Sequence, residues 1–241
     1  MIVAMKKTLR AIAYATPAYR WFGFGQIDYD GAFWDKKLAT DWKTYLGGTI
    51  SVNARNAITL TLLRSCVPAA QSVLDVGCAS GSLARAPGAA FTYTGVDISP
   101  FAIEQGRKQS PMATFHISKI DDFKPTHNFD AIVFNEVLYF LTPTAATEEV
   151  LRYAKHLSAD GIIVVSMKND PKSAAIFRLL QLRLQWINAL LYQEKNTGPD
   201  FAVIENNQRP AYLVAALRPF MPYPEIDPVY GPVSMDFGRK S

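Results

Sequence analysis

Ser72-Val73-Leu74-Asp75-Val76-Gly77-Cys78-Ala79-Ser80-Gly81-Ser82-Leu83 is the stretch whose reading decides the fold. Its first five residues form a short apolar run that carries an acid near its end. A tight turn holding two glycines follows, and a helix is expected from about residue 81. Thr94-Gly95-Val96-Asp97-Ile98 repeats the device: a second short strand ends on a second acid, 22 positions after the first. Two carboxylates at the ends of neighbouring strands, with a glycine turn between them, suit a cofactor that contains a nucleoside.

Working outward, the pattern stays regular. Strands are expected at about 72–76, 92–97, 113–117, 128–134 and 162–166. Between them lie helices from about 81, at 100–109 and at 144–157. Ser99 is a natural N-cap for the second of these, and Pro100 suits its first position. Strands that alternate with helices in this way predict a Rossmann-like, doubly wound, mostly parallel α/β sheet. Two further strands, 201–205 and 211–217, are joined by the short link Asn206–Pro210. They predict a closing antiparallel hairpin and bring the sheet to seven strands. Residues 172–194 are apolar nearly all round and read as one long helix, serving as core, as a pocket wall or as the face of a homodimer.

Upstream, residues 1–50 are dense in aromatics. A helix is expected over 30–45, with Phe33, Trp34, Leu38 and Trp42 on one face, and another over 51–67. Residues 1–50 are therefore expected to form a helical extension or lid, 51–218 the α/β domain, and 219–241 an extended proline-rich tail. Lys6, Lys7 and Arg10 stand beside an apolar stretch too short for a secretory leader. A short amphipathic helix fits there, and a weak membrane-surface contact is the sharper alternative.

Composition narrows the functions. The 241 residues are 49% hydrophobic and 19% charged, as in an ordinary globular domain, and carry a net charge of +4. No basic run of the kind that binds nucleic acid occurs, so a small-molecule acceptor is expected rather than nucleic acid. No stretch is long enough for stable membrane insertion. Cys66 and Cys78 do not read as a disulfide framework, and a cytoplasmic location is expected.

Three nucleotide-type ligands compete for the turn. A P-loop needs a lysine after its last glycine, and none follows Gly81. A dinucleotide fingerprint starting at Gly77 needs glycines where Ala79 and Ser82 stand. Asp75 would also face a pyrophosphate, at the expense of like-charge repulsion. A cationic ligand without phosphate is the one that the acid accommodates.

These residues resemble motif I of the class I S-adenosylmethionine-dependent methyltransferases, and Val96-Asp97-Ile98 resembles the acidic motif that follows it. Phe129 to Leu141 is similar to the family's fourth strand and the segment after it. The resemblance spans roughly residues 50–218. It implies S-adenosylmethionine as the cofactor. It implies that the backbone of Gly77, Cys78, Ala79 and Gly81 approaches that cofactor, with Asp75 serving its ammonium through the loop or water. Asp97 and Ile98 would serve the ribose end, and the carbonyl of Asn135 the ammonium. Near the adenine the family often has an acid after a glycine. Here Ile120 and Asp121 stand in that place, and Asp121 either replaces the acid or is a solvated loop residue. Arg55 is either a basic partner for the cofactor's carboxylate or a surface arginine.

Methyl transfer from a sulfonium needs alignment and dry surroundings. Trp34, Trp42 and Tyr45 are candidate pocket walls. The expected acceptor is a hydroxyl of a saccharide or secondary metabolite, with a small-molecule nitrogen as the alternative. A hydroxyl also needs a general base. His116, His127 and His156 do not cluster, whereas Glu136 and Tyr139 follow the fourth strand on the cofactor side and are the catalytic candidates. No ligand spacing for a metal is present. Two rival functions are an NAD(P)-dependent oxidoreductase and a non-catalytic assembly protein that keeps the cofactor fold.

Overall fold

The computed structural model describes residues 31–40, 50–193 and 211–220. In chain order these form α1 (Gly31–Thr40), α2 (Ile50–Cys66), β1 (Ser72–Val76), β2 (Thr92–Asp97), α3 (Pro100–Gln109), β3 (Thr114–Ile117), β4 (Phe129–Asn135), α4 (Pro143–Ala154), β5 (Leu157–Lys168), α5 (Pro171–Gln181), β6 (Leu184–Gln193) and β7 (Ala211–Pro219). The seven strands make one sheet in the order β3-β2-β1-β4-β5-β7-β6. The first five run parallel. β7 is antiparallel to both of its neighbours.

The central strands are apolar along their whole length because both faces of the sheet are covered. Successive residues of β4 enter opposite layers. Ile132 and Phe134 join a core with Val150 and Tyr153 of α4 and Ile176 and Leu180 of α5. Ala131 and Val133 join another with Leu60 and Leu63 of α2 and Ile103 of α3. The sheet order reverses between β1 and β4, which opens a crevice at their carboxyl ends.

Three helices start at that edge with one device. Ser99, Thr142 and Asp170 are N-caps whose side chains accept from Ala102, Ala145 and Ser173 N–H, and a proline follows each. Such a cap stabilises by about 1 kcal/mol.

Three expectations need correction. The helix expected from residue 81 is a single 3-10 turn, Ser82–Arg85. Pro87 keeps Ala86 extended (ψ 139°), and Gly88 turns the chain with φ 87°. The long helix over 172–194 does not form: α5 ends at Gln181, and β6 begins at Leu184. A run that is apolar on all sides carries no period to separate helix from strand. β7 decides the matter by pairing with β6 from Leu184↔Pro219 to Gln193↔Ala211. The closing antiparallel pair is therefore β6 with β7. The expected strand 201–205 and its link to residue 210 lie outside the described residues, as do residues 1–30, Trp42, Tyr45 and the tail beyond 220. With the long helix gone, the basis for reading it as a dimer face goes too.

Among the described residues, no helix is long and apolar enough to cross a membrane. Cys66 and Cys78 are both free thiols.

Candidate active site

The turn after β1 owes its shape to three positive φ angles, at Gly77 (73°), Ala79 (48°) and Gly81 (67°). Glycine is required at the first and last for a second reason. A Cβ on Gly77 would lie 2.4 Å from Val137 Cγ2, and one on Gly81 would lie 2.7 Å from the Phe115 ring. Four amides of the turn are already used inside the protein. Gly77 and Cys78 N–H donate to Val96 O at 2.8 and 3.0 Å, and Gly81 N–H to Cys78 O at 2.8 Å. Ala79 N–H donates to Asp97 Oδ2 at 2.8 Å. These donors are not free to cradle a phosphate, the role that phosphate-binding turns give to such amides.

Asp97 ends β2 and holds two elements. Its Oδ2 takes the Ala79 N–H, and its Oδ1 takes the Ser99 N–H at 2.9 Å. Burial pushes this carboxyl up, against the pull of those backbone donors, and nearby Asp35 adds to the rise. Asp75 lies deeper and is buried (3% exposed). By strand alternation it faces the layer that contains Val73, Tyr93 and Cys78. Its Oδ2 accepts from Tyr93 Oη at 2.7 Å. Its Oδ1 has no partner among the described residues. Burial raises its pKa to about 7, Tyr93 opposes the rise, and Asp97 adds to it. The Cys78 thiol is also buried, with its sulfur packed 2.7 Å from where a Cβ on Gly95 would stand. Its side chain belongs to the core, and only its backbone lies in the turn.

Sequence reasoning missed Asp35. On α1 it accepts from Ser99 Oγ and, at 3.1 Å, from Phe101 N–H. It thus ties α1 to the start of α3, beside Asp97. Gly31 at the head of α1 is pressed against Ile98, where a Cβ would sit 3.1 Å from the Ile98 carbonyl oxygen. Trp34 stacks edge-on against Phe140, with centroids 4.8 Å apart. Part of the N-terminal segment therefore covers the carboxyl edge of the sheet. An acid in the middle of a short helix carries no motif that flags it.

The loop after β3 starts beside Asp97, since Ser118 N–H donates to Asp97 O at 2.9 Å. Ile120 is half-buried against the core, and Asp121 is exposed. The loop is held from α4. Arg152 Nη1 donates to Phe123 O at 2.8 Å, Arg152 Nη2 donates to Ile120 O, and Tyr153 Oη reaches Ile120 O at 2.9 Å. Arg152→Met keeps the aliphatic stem and removes the donors. Amide hydrogen exchange over residues 118–123 is expected to rise about tenfold, as loss of roughly 1.4 kcal/mol of local bonding requires. Unchanged exchange would show that the loop holds itself.

Past β4 a second group gathers. Glu136 N–H donates to Ser166 O at 2.9 Å, and Ser166 Oγ donates to Glu136 Oε1 at 3.0 Å. Glu136 has φ 57°. Burial pushes its carboxyl to about 7, opposed by the Arg55 charge and by bonds from Ser166, Tyr139 and the Lys168 backbone. Burial and the Glu136 charge hold the Tyr139 hydroxyl well above its usual value. Arg55 lies over the Tyr212 ring, 4.9 Å from its centroid. Thr59 Oγ1 reaches Asn135 Oδ1 at 3.5 Å, and Asn56 Nδ2 donates to Ser82 Oγ at 3.1 Å. α2 therefore spans from the glycine turn to the end of β4. The candidates fall into two groups: Asp97, Ile98, Ile120 and Asp121 at one end, and Glu136, Tyr139 and Arg55 at the other.

Residues 74–163 match the family described as "Methyltransferase domain". A curated relative from Streptomyces venezuelae, dTDP-3-amino-3,4,6-trideoxy-α-D-glucopyranose N,N-dimethyltransferase, is 33% identical over 124 residues. Those residues cover 50% of this chain and 52% of the relative. From Streptomyces fradiae, dTDP-3-amino-3,6-dideoxy-α-D-glucopyranose N,N-dimethyltransferase is 29% identical over 107 residues, 43% of this chain and 42% of that protein. The chain thus matches about half the length of these relatives or less. Among solved structures, the N-methyltransferase NodS of Bradyrhizobium japonicum WM9, in complex with S-adenosyl-L-homocysteine, superposes with a TM-score of 0.56 at 20% identity. That likeness covers 70% of this chain and 87% of NodS and is a likeness of fold. Residues 74–163 are thus similar to a methyltransferase domain, and the chain shares the fold of the methyltransferase NodS.

Proposed function

We propose that this protein transfers a methyl group from S-adenosylmethionine to an amine nitrogen on a small sugar. The observation that carries the cofactor half is the turn after β1, where four amides are spent internally beside the buried carboxyls of Asp75 and Asp97. A phosphate finds those donors spent, whereas a cation would draw the two carboxyls back toward their charged form. The buried Oδ1 of Asp75, without a partner among the described residues, adds an acceptor that a water-bridged ammonium would satisfy. The residues present therefore fit S-adenosylmethionine. Asp97 would hold the ribose hydroxyls, and the Gly77–Gly81 backbone would lie along the methionine end.

When bound, this cofactor supplies an activated methyl: the acceptor's lone pair forms the new C–N bond as the C–S bond breaks, and its electron pair goes to sulfur. The chain's own contribution is alignment and exclusion of water, to which Trp34 and Phe140 lend an aromatic wall. The acceptor half is supported by the names of the two Streptomyces relatives, both amino-sugar N,N-dimethyltransferases. They favour nitrogen over the saccharide hydroxyl expected from sequence.

Asp97→Ala is expected to weaken S-adenosylmethionine binding by about 1–3 kcal/mol, the loss of hydrogen bonds to a charged acceptor. Calorimetric titration that finds unchanged affinity removes Asp97 from the site. S-adenosylmethionine should also raise the melting temperature where NAD and NADP do not, which separates this reading from an oxidoreductase. Incubation with dTDP-3-amino-3,6-dideoxy-α-D-glucopyranose should add 14 or 28 Da, about one or two methyl groups, by mass spectrometry. No mass gain there would overturn the amino-sugar acceptor.

A further inference from the structure

The carboxyl ends of β2, β1 and β4 lie side by side in the sheet. They carry, in that order, Asp97, the glycine turn and Glu136. A ligand with its ribose at Asp97 and its methionine along the turn leaves Glu136 at the far end, where an acceptor must enter.

Glu136 is built unlike a surface residue. Its backbone sits at φ 57°, a conformation that costs a non-glycine residue energy and collects at functional sites. Ser166 fixes it twice, through the main chain and through Oγ. Charged and titratable groups face it from every neighbouring element: Arg55 from α2, Tyr139 from the 3-10 turn 138–140, Lys168 through its backbone from β5, and Tyr212 of β7 beneath Arg55. Yet Glu136 and Tyr139 are only half-buried, so the carboxylate is oriented without being sealed.

We infer that Glu136 is a catalytic carboxylate that holds the acceptor's ammonium and takes one proton from it, which selects amines over hydroxyls. This rests on the methyl-transfer reading above. The step balances. Glu136 carboxylate accepts a proton from R–NH3+, giving the carboxylic acid and R–NH2, whose freed lone pair then takes the methyl. The proton leaves to solvent before the next turnover.

Amine acceptors ionise at about 8–10, within a few units of a carboxyl at about 7. A sugar hydroxyl lies much further away, so the same carboxylate is a poor base for it. The competing role is a latch between β4 and β5. A latch needs only an oxygen for Ser166, which glutamine supplies equally well.

Glu136→Gln therefore separates the two. Two probes are titrated in the presence of S-adenosylhomocysteine at about pH 8, where Glu136 is ionised and the amine is still largely protonated: dTDP-3-amino-3,6-dideoxy-α-D-glucopyranose and its 3-hydroxy counterpart. The wild type is expected to prefer the amine by about tenfold or more, and Glu136→Gln to show no preference. kcat for the amine should fall about 100-fold and its acidic pH limb should disappear, while S-adenosylhomocysteine affinity stays within about twofold. Glu136→Asp keeps the charge and should retain the preference, which guards against a folding defect in the glutamine variant. A Glu136→Gln protein that keeps both the preference and kcat overturns the role of Glu136 and leaves the methyltransferase reading intact. A wild type that binds neither sugar but does bind S-adenosylhomocysteine overturns the amine acceptor, and this role with it.

Discussion

Gly77→Ala is expected to cost about 2–5 kcal/mol of stability. Two independent penalties add. At φ 73° an L side chain meets the left-handed penalty of roughly 1–2 kcal/mol. The new methyl would also fall 2.4, 2.7 and 3.2 Å from Cγ2, Cβ and Cγ1 of Val137. Rotation about χ1 cannot clear a contact that includes Cβ, so one chain must shift, which overpacked sites resist by about 1–3 kcal/mol. Val137 directly follows Glu136, so a shift there also disturbs the carboxylate. Urea unfolding should show a lower midpoint with an unchanged slope. Val137→Ala in the same protein should recover part of the loss, because it removes two of the three clashing atoms. A single-variant loss below about 1 kcal/mol would mean that the turn rearranges freely.

The second large effect is a stability that falls as pH rises. Asp75 ionises near 3.8 in an unfolded chain and near 7 when folded. Between those values the folded state binds more protons than the unfolded one, so each pH step upward favours unfolding. The contribution is fully present below about pH 4, is lost as pH climbs through 7, and is flat above. Three units correspond to an effect on the order of 4 kcal/mol. Glu136 (4.5 to about 7) and Asp97, also raised, act in the same direction. The melting temperature of the ligand-free protein should therefore drop between pH 5 and pH 8. Asp75→Asn keeps an oxygen for Tyr93 and cannot ionise. Its melting curve should be flatter over that range and should overtake the wild type at pH 8. An equal slope in both proteins would show that Asp75 is ionised and satisfied in the fold.

The residues that sequence could read were those whose neighbours are close in the chain. Ser99-Pro100 was legible as a helix start because an N-cap bonds three residues ahead. Gly77 and Gly81 were legible because a tight turn is local. The group at Glu136 was legible only as a position: nothing in the sequence placed Ser166, Arg55 and Tyr212 beside it. Arg152 and Asp35 carry no local signature, since each acts on a loop or helix cap far away in sequence.

By itself, then, the sequence determined the alternation of strands and helices, the glycine turn and the two acids, because these follow from short-range backbone and burial rules. Tertiary structure alone decided that residues 184–193 are a strand, since an all-apolar run takes its conformation from the partner that pairs with it, here β7. It also decided that Asp75 is a buried acid bonded to Tyr93 and that Glu136 is held by Ser166 just past the end of β4. An ionisable group's charge is set by what surrounds it in space, and the order of residues does not encode that.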